Sequence, residues 1–106
     1  MRDVVQQIWA SRVVEYIQSH NCFVMDLREV PAFRRGHLPK AVQVDAEDVE
    51  ENRFSFPKDV PIVVYCDEGS VSLRVARLLS MRGYYVYNLA GGYEAFLRYQ
   101  EKSETR

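Results

Sequence analysis

Two short runs of almost purely apolar, strand-forming residues limit what this chain can fold into. They are residues 22–27 (CFVMDL) and 61–66 (PIVVYC), and neither alternates regularly between apolar and polar positions. A strand without that alternation is covered on both faces, as in parallel sheets that carry helices above and below. We therefore expect an α/β fold with buried strands at its centre.

Weaker patterns predict the rest of the sheet and its helices. Further strands are expected at residues 42–44 and 86–89, with an edge strand at 8–9. Helices are expected at residues 12–18, 31–35, 46–50, 70–82 and 93–99, with Ser11 and Asp45 as N-caps of the first and third. Alternating strands and helices form βαβ units, so we expect a mostly parallel sheet of four or five strands with helices on both faces.

Length and charge exclude several classes of protein. The 106 residues suit one domain, in which the polar stretch 100–106 is expected to fray. A net charge of −1 gives no general attraction to nucleic acid or to an anionic membrane, and no apolar run is long enough to span a bilayer. Two cysteines form neither a disulfide framework nor a zinc motif. We expect a cytoplasmic protein with no metal or organic cofactor.

Cys66 is the strongest candidate for chemistry, because it ends an apolar strand where the sheet is expected to bind ligands. The loop that follows, and that opens a helix, is Asp67-Glu68-Gly69-Ser70-Val71-Ser72. Backbone N–H groups of such a loop can converge on one point and stabilise a thiolate there. The alternative interpretation is a buried structural cysteine, which is common in protein cores.

Three stretches of the chain resemble the family of single-domain rhodanese-like (thiosulfate sulfurtransferase-like) proteins. Residues 26–41 (DLREVPAFRRGHLPKA) are similar to the family's D-x-R…F-x-x-G-H-I-P-x-A signature. The run VVYC is followed by a loop with Gly69 and Ser72 in the family's register, and Leu89-Ala90-Gly91-Gly92 resembles its L-x-G-G. The resemblance covers about residues 8–99 and implies the family's three-layer fold.

The resemblance also implies sulfur transfer. Cys66 would be the nucleophile and would carry a persulfide, held together with the donor by the amides of residues 67–72. The donor would be thiosulfate, polysulfide or a protein persulfide, and the acceptor a thiol or cyanide, with Arg28 on the substrate rim. Related phosphatases and arsenate reductases use a longer, seven-residue loop, so phosphatase activity is disfavoured.

The loop departs from the family pattern in ways that leave other functions open. Val71 stands where many active members carry Arg, and Asp67 and Glu68 stand where many are basic or neutral. Two carboxylates beside the sulfur repel a dianion, unless Arg28 or Arg74 offsets them. Thiosulfate activity is therefore expected to be weak. A catalytically weak module used for protein interaction or regulation, and a redox sensor, remain alternatives.

The other polar residues are interpreted as structural. Asp26 and Arg28 are expected to brace their loop, and His37 to serve the fold. His20 is expected to be a solvated residue at the end of a helix. The basic residues around the Gly36-His37 turn, which are Arg34, Arg35 and Lys40, are expected to form a solvated face. Cys22 begins its strand, about 17 Å from the end that carries Cys66, so it is not expected to be a resolving thiol.

Overall fold

The computed structural model describes residues 5–104, which form one five-stranded sheet and five helices. The strands are β1 (Gln6–Ile8), β2 (Phe23–Asp26), β3 (Ala41–Gln43), β4 (Ile62–Tyr65) and β5 (Val86–Leu89). The helices are α1 (Ala10–Ser19), α2 (Val30–Arg35), α3 (Ala46–Glu50), α4 (Ser70–Met81) and α5 (Gly92–Glu104). Every neighbouring pair in the order β1-β5-β4-β2-β3 is parallel, which confirms the predicted α/β fold.

Strand β4 shows why both faces of the sheet carry helices, since all four of its side chains are fully buried. Val63 and Tyr65 pack in a core cluster with residues of α1 and α5. Ile62 and Val64 point to the opposite face and pack with residues of α3 and α4. The central strand is therefore apolar throughout, and its carboxyl end emerges between the two helical layers.

The predicted strands are found with small shifts of their ends. Strand β5 agrees with the prediction, β2 and β4 are one residue shorter at each end, and β3 begins one residue earlier. The edge strand is Gln6–Ile8 rather than residues 8–9. Trp9 already belongs to the start of α1, because its carbonyl accepts the N–H groups of Arg12 and Val13.

The predicted N-cap hydrogen bonds are wrong in detail. Ser11 lies inside α1, whose N-cap is Trp9, because the chain passes from β1 into the helix with a single extended residue between them. Asp45 does occupy the N-cap of α3, but its carboxylate makes no capping bond. It accepts a hydrogen bond from Nε2 of Gln43 at 3.1 Å instead.

The last helix is longer than predicted. It was expected to end at Tyr99, whereas α5 continues to Glu104 through exposed residues. Once a helix is formed, each further residue that joins it adds one hydrogen bond, so extension is easier than initiation. Gln, Glu and Lys are also good helix formers. Residues 105 and 106 of the predicted polar tail lie outside the described residues. No helix between residues 5 and 104 has the length and apolar character needed to cross a bilayer.

Two tyrosine hydroxyls should resist ionisation in the folded protein. Burial, with a further contribution from the neighbouring Tyr87, raises the pKa of Tyr16 to about 12. Burial also raises the pKa of Tyr65, and the nearby Asp26 carboxylate adds to this effect. The unfolded chain releases these protons near pH 10. We therefore expect the free energy of unfolding to fall as the pH rises above about 10.

A spectrophotometric titration of the phenolate absorbance checks this expectation. The chain has seven tyrosines, and at least two should ionise after the others, together with unfolding. Tyr16→Phe should remove one late group and leave the early step unchanged. Ionisation of all seven near pH 10, with the circular dichroism still native, would contradict the prediction.

Candidate active site

The loop that follows Cys66, residues 67–72, is held in place by the start of α5. The N–H groups of Tyr93 and Glu94 donate to the carbonyl oxygens of Cys66 and Asp67, at 2.8 and 2.9 Å. Gly69 turns the chain back with a φ of +105°. Any residue with a side chain would adopt this conformation only at a cost in free energy. The loop therefore ends at the first turn of α4, directly beside the end of β4.

The Cys66 sulfur lies inside this loop, and two backbone amides point at it. The N–H groups of Gly69 and Ser72 donate to Sγ at 3.2 and 3.3 Å, and Oγ of Ser72 lies 3.4 Å from it. The residue is 6 % exposed. N–H groups aimed at one atom from the start of a helix stabilise negative charge there. This geometry can support a thiolate, whereas a purely structural core cysteine needs no such donors.

Gly92 lets the loop lie directly on the start of α5. Its φ is +69°, and a Cβ atom there would lie 2.5 Å from the carbonyl oxygen of Asp67 and 2.7 Å from that of Cys66. Heavy atoms cannot approach so closely without a shift of the backbone. The Gly91-Gly92 pair therefore supports the loop as well as starting a helix.

The rim of the loop carries two exposed carboxylates. Asp67 and Glu68 are both exposed, and the Glu68 carboxylate accepts a hydrogen bond from the Ser70 hydroxyl at 2.9 Å. Val71 is 39 % exposed and contributes an apolar surface without charge. An approaching anion therefore meets like charge at the rim before it reaches the amides.

Arg28, predicted as a possible rim residue, is bound by an inner carboxylate and also lines a groove beside the loop together with Asp67. Its guanidinium binds the Asp26 carboxylate at 2.7 Å and the Gly36 carbonyl oxygen at 2.7 Å, and it lies 4.0 Å from the ring centre of Tyr93. Both members of the pair are buried. Removing one partner of such a pair typically costs about 3–5 kcal/mol. The ion pair agrees with the interpretation of Arg28 as a brace, and its place in the groove leaves the role on the substrate rim a prediction.

Arg74 does not offset the rim carboxylates either. The sequence suggested a pair with Glu68 or Asp67, but the guanidinium lies 3.2 Å from the carboxylate of Glu50 on α3. Arg74 lies on the flank of α4 that packs beside α3, which explains the different partner. The two arginines considered as compensation are thus engaged elsewhere.

Other polar residues near the predicted signature serve the fold. The ring of His37 stacks on Phe33 at 4.0 Å, with Nδ1 2.9 Å from the Phe33 carbonyl oxygen. Lys40 donates to the carbonyl oxygens of Ile17 and His20 and so closes the end of α1. Arg35 instead borders a groove of about 260 Å³ beside the loop, which Arg28, Asp67, Tyr93 and Glu94 also line.

The second thiol lies at the opposite edge of the sheet. Cys22 precedes Phe23, which pairs with Ile62 at the amino end of β4, whereas Cys66 follows the carboxyl end of β4. Both cysteines are free thiols. Burial raises the pKa of the Cys22 thiol, and the nearby Lys40 opposes this effect only in part.

Asn88 is the residue of this site that the sequence interpretation missed. It lies in β5, is 3 % exposed, and its Oδ1 is 2.6 Å from the Ser72 hydroxyl. An amide between apolar residues of a buried strand was the available signal, because such a group needs hydrogen-bond partners. The sequence alone did not show which partners these would be.

Comparisons with known proteins agree with the fold. A family model for the Rhodanese-like domain matches residues 10–99. The chain is 30 % identical over 95 residues to the thiosulfate sulfurtransferase GlpE of Pseudomonas aeruginosa, covering 89 % of this chain and 86 % of that protein. It is also 32 % identical over 80 residues to a tRNA sulfurtransferase of Desulfurococcus amylolyticus, covering 76 % of this chain.

This chain spans only 16 % of the length of that tRNA sulfurtransferase. Among solved structures, the rhodanese-related protein of Thermoplasma volcanium superposes with a TM-score of 0.79 at 21 % identity, covering 89 % of this chain and 92 % of that one. At this identity the structural likeness concerns the fold. Names that refer to sulfur transfer come instead from the two relatives found by sequence, the GlpE protein and the tRNA sulfurtransferase.

Gly92→Ala should displace the loop and slow alkylation of Cys66 by at least tenfold, since the added Cβ meets the loop's own backbone. Gly83→Ala is a matched control, because Gly83 also has a positive φ of +100° but its nearest atoms are 3.9 Å away on the Lys58 side chain. Iodoacetamide labelling in a Cys22→Ser background measures the rate. Equal rates in the two alanine variants would show that the contact does not position the loop.

Proposed function

This chain belongs to the rhodanese-like domain family, and we propose that it is a sulfurtransferase that carries a sulfane sulfur on Cys66. Relatives named as sulfurtransferases support sulfur transfer as the general activity. The proposal treats the chain as a single catalytic domain of this family. It needs no metal or organic cofactor, because the sulfur of Cys66 itself is the carrier.

The proposed reaction has two displacements. The Cys66 thiolate attacks the outer sulfur of the donor, forming an Sγ–S bond while the donor's own sulfur–sulfur bond breaks and its electron pair leaves with the donor. An acceptor thiolate then attacks the outer sulfur of the persulfide. The Sγ–S bond breaks in that step, and its electron pair restores the Cys66 thiolate.

The observation that carries this proposal is the pair of amides aimed at Sγ. The N–H groups of Gly69 and Ser72 supply fixed positive dipoles where the thiolate charge resides before attack and after transfer. Because these donors are part of the loop backbone, they need no rearrangement when the charge forms. The short loop from Asp67 to Ser72 is also the length that favours sulfur over the larger phosphate group.

The rim favours a donor less anionic than thiosulfate. Asp67 and Glu68 are exposed there, and the guanidinium groups of Arg28 and Arg74 bind other carboxylates. We therefore propose a polysulfide or a protein persulfide as donor and a thiol as acceptor, with no role for nucleic acid or membrane. A reducing cytoplasm would keep the two thiols free.

A second candidate function rests on the same rim. The exposed Val71 and the two carboxylates also suit a module that binds another protein without turnover. The retained sulfur and its amide donors favour the enzyme, since a binding module has no need of either.

The protein should gain the mass of one sulfur atom when it is incubated with a polysulfide, because the Cys66 thiolate attacks the outer sulfur of the donor. Intact-mass spectrometry measures the gain. Cys66→Ser should gain nothing, whereas Cys22→Ser should load like the native protein. No gain from polysulfide, thiosulfate or a protein persulfide would leave the binding module as the function, and loading of Cys66→Ser would remove Cys66 from the mechanism.

Val71→Arg should raise kcat/KM for thiosulfate roughly tenfold, because the added cation offsets part of the negative charge of the rim. The attraction is moderate, since the effective dielectric constant at the rim lies between those of the protein interior and water. Val71→Gln is the uncharged control and should change little. The gain should shrink at high salt, because the rim is exposed to solvent. Efficient use of thiosulfate by the native protein would contradict the expected donor class.

A further inference from the structure

A line of hydrogen-bonding groups runs from the Cys66 sulfur to the edge strand β1. Oγ of Ser72 lies 3.4 Å from Sγ and 2.6 Å from Oδ1 of Asn88. Nδ2 of Asn88 lies 3.3 Å from Oε1 of Gln7, its register partner in the neighbouring strand. Ser72 and Asn88 are buried, whereas Gln7 is exposed at the edge of the sheet. These side chains therefore connect α4, the end of β4, β5 and β1.

The Ser72 hydroxyl has only one proton to share among these neighbours. With Oδ1 of Asn88 at 2.6 Å, that proton lies between the two oxygens, because the amide oxygen brings none of its own. Oγ then offers only lone pairs to Cys66, so it can accept the proton of the neutral thiol. A thiolate has no proton to give and would gain nothing from Oγ in this arrangement.

Turning the two amides reverses every bond in the line. The amide oxygen and nitrogen have nearly the same shape, so the exchange leaves the packing unchanged. Nδ2 of Asn88 then donates to Ser72, which frees the Ser72 proton for its two remaining acceptors, the sulfur at 3.4 Å and the Gly69 carbonyl oxygen at 3.2 Å. A negative charge on the sulfur draws the proton to it. Oδ1 of Asn88 needs a donor in its turn, which Gln7 supplies when its exposed amide group also rotates.

Resting on the proposed function, in which the Cys66 thiolate is the attacking group, we propose that Asn88 and Gln7 are positioning residues for the sulfur. They set the direction of the Ser72 hydroxyl. One amide polarity makes Ser72 an acceptor for the neutral thiol, and the other makes it a third donor to the thiolate, beside the N–H groups of Gly69 and Ser72. An exposed side chain of β1 thereby influences the reactive form of a buried sulfur.

The polarity of Gln7 can be fixed without changing a buried residue. Gln7→Glu is an acceptor only, so Nδ2 of Asn88 stays turned to β1 and Ser72 cannot donate to the sulfur. Gln7→Lys is a donor only and fixes the opposite polarity. The rate of iodoacetamide alkylation is measured against pH in a Cys22→Ser background, where the half-maximal pH reports formation of the Cys66 thiolate.

We expect Gln7→Glu to move the half-maximal pH upward by about one unit and to slow alkylation at neutral pH about tenfold, as for loss of one hydrogen bond to a charged group. Gln7→Lys should move it downward. The other charged groups on the elements around Cys66 are the same in all variants. They include Asp67, Glu68, the Asp26–Arg28 pair and the Glu50–Arg74 pair, together with Arg77 on α4 and the charged residues of α5, which are Glu94, Arg98, Glu101, Lys102 and Glu104.

Gln6 is the control position that separates the effect of an added charge from the effect of hydrogen-bond direction. It is the exposed residue before Gln7 in β1, and its side chain points to the opposite face of the sheet. Gln6→Glu and Gln6→Lys add the same charges without reaching Asn88. The Gln7 shifts should exceed these, persist at high salt, and disappear in a Ser72→Ala background. Shifts matched by Gln6, abolished by salt, retained in Ser72→Ala or absent would each overturn the proposal.

Sulfur loading of the same variants distinguishes this proposal from the proposed function. If alkylation shifts as expected but no donor adds sulfur to Cys66, the positioning role stands and the sulfurtransferase activity fails. If Cys66 loads with sulfur and the alkylation profiles of both Gln7 variants are unchanged, the activity stands and the positioning role is wrong. Melting temperatures identify any variant whose fold is altered.

Discussion

The site depends on the contact between one loop and the first turn of α5. On one side the carbonyl oxygens of Cys66 and Asp67 accept the N–H groups of Tyr93 and Glu94, and on the other the N–H groups of Gly69 and Ser72 point at the sulfur. Two short segments, whose bonded residues lie 27 positions apart in sequence, are thus fixed to each other by main-chain bonds, with no side chain at Gly92 between them. Side chains are needed only for the chemistry at the centre.

The charges around the sulfur divide into two groups with different roles. Backbone dipoles and the Ser72 hydroxyl act on the sulfur itself at close range, within a buried space. Exposed carboxylates act on whatever approaches, where solvent weakens them. The charge of the Arg28 guanidinium is balanced by Asp26, although the residue lines the groove beside the loop. Reactivity and choice of donor can therefore be changed by different residues.

Local patterns in the sequence predicted the sheet and the position of Cys66, because a buried strand, a glycine turn and a helix start are each formed by neighbouring residues. Contacts between distant side chains were not predicted. Arg74 binds Glu50, 24 residues away, and Asn88 reaches Ser72 and Gln7, which are 16 and 81 residues away. The end of α5 was missed for another reason, since no packing partner marks where an exposed polar helix stops.

The separation of the two cysteines has a consequence for damage by peroxide. A sulfenic acid formed on Cys66 is normally rescued by a nearby thiol, which condenses with it to a disulfide before further oxidation. Cys22, the only other cysteine, lies at the far edge of the sheet and cannot reach it. Repair of an oxidised Cys66 therefore requires a thiol from another molecule, which must reach a sulfur whose residue is only 6 % exposed.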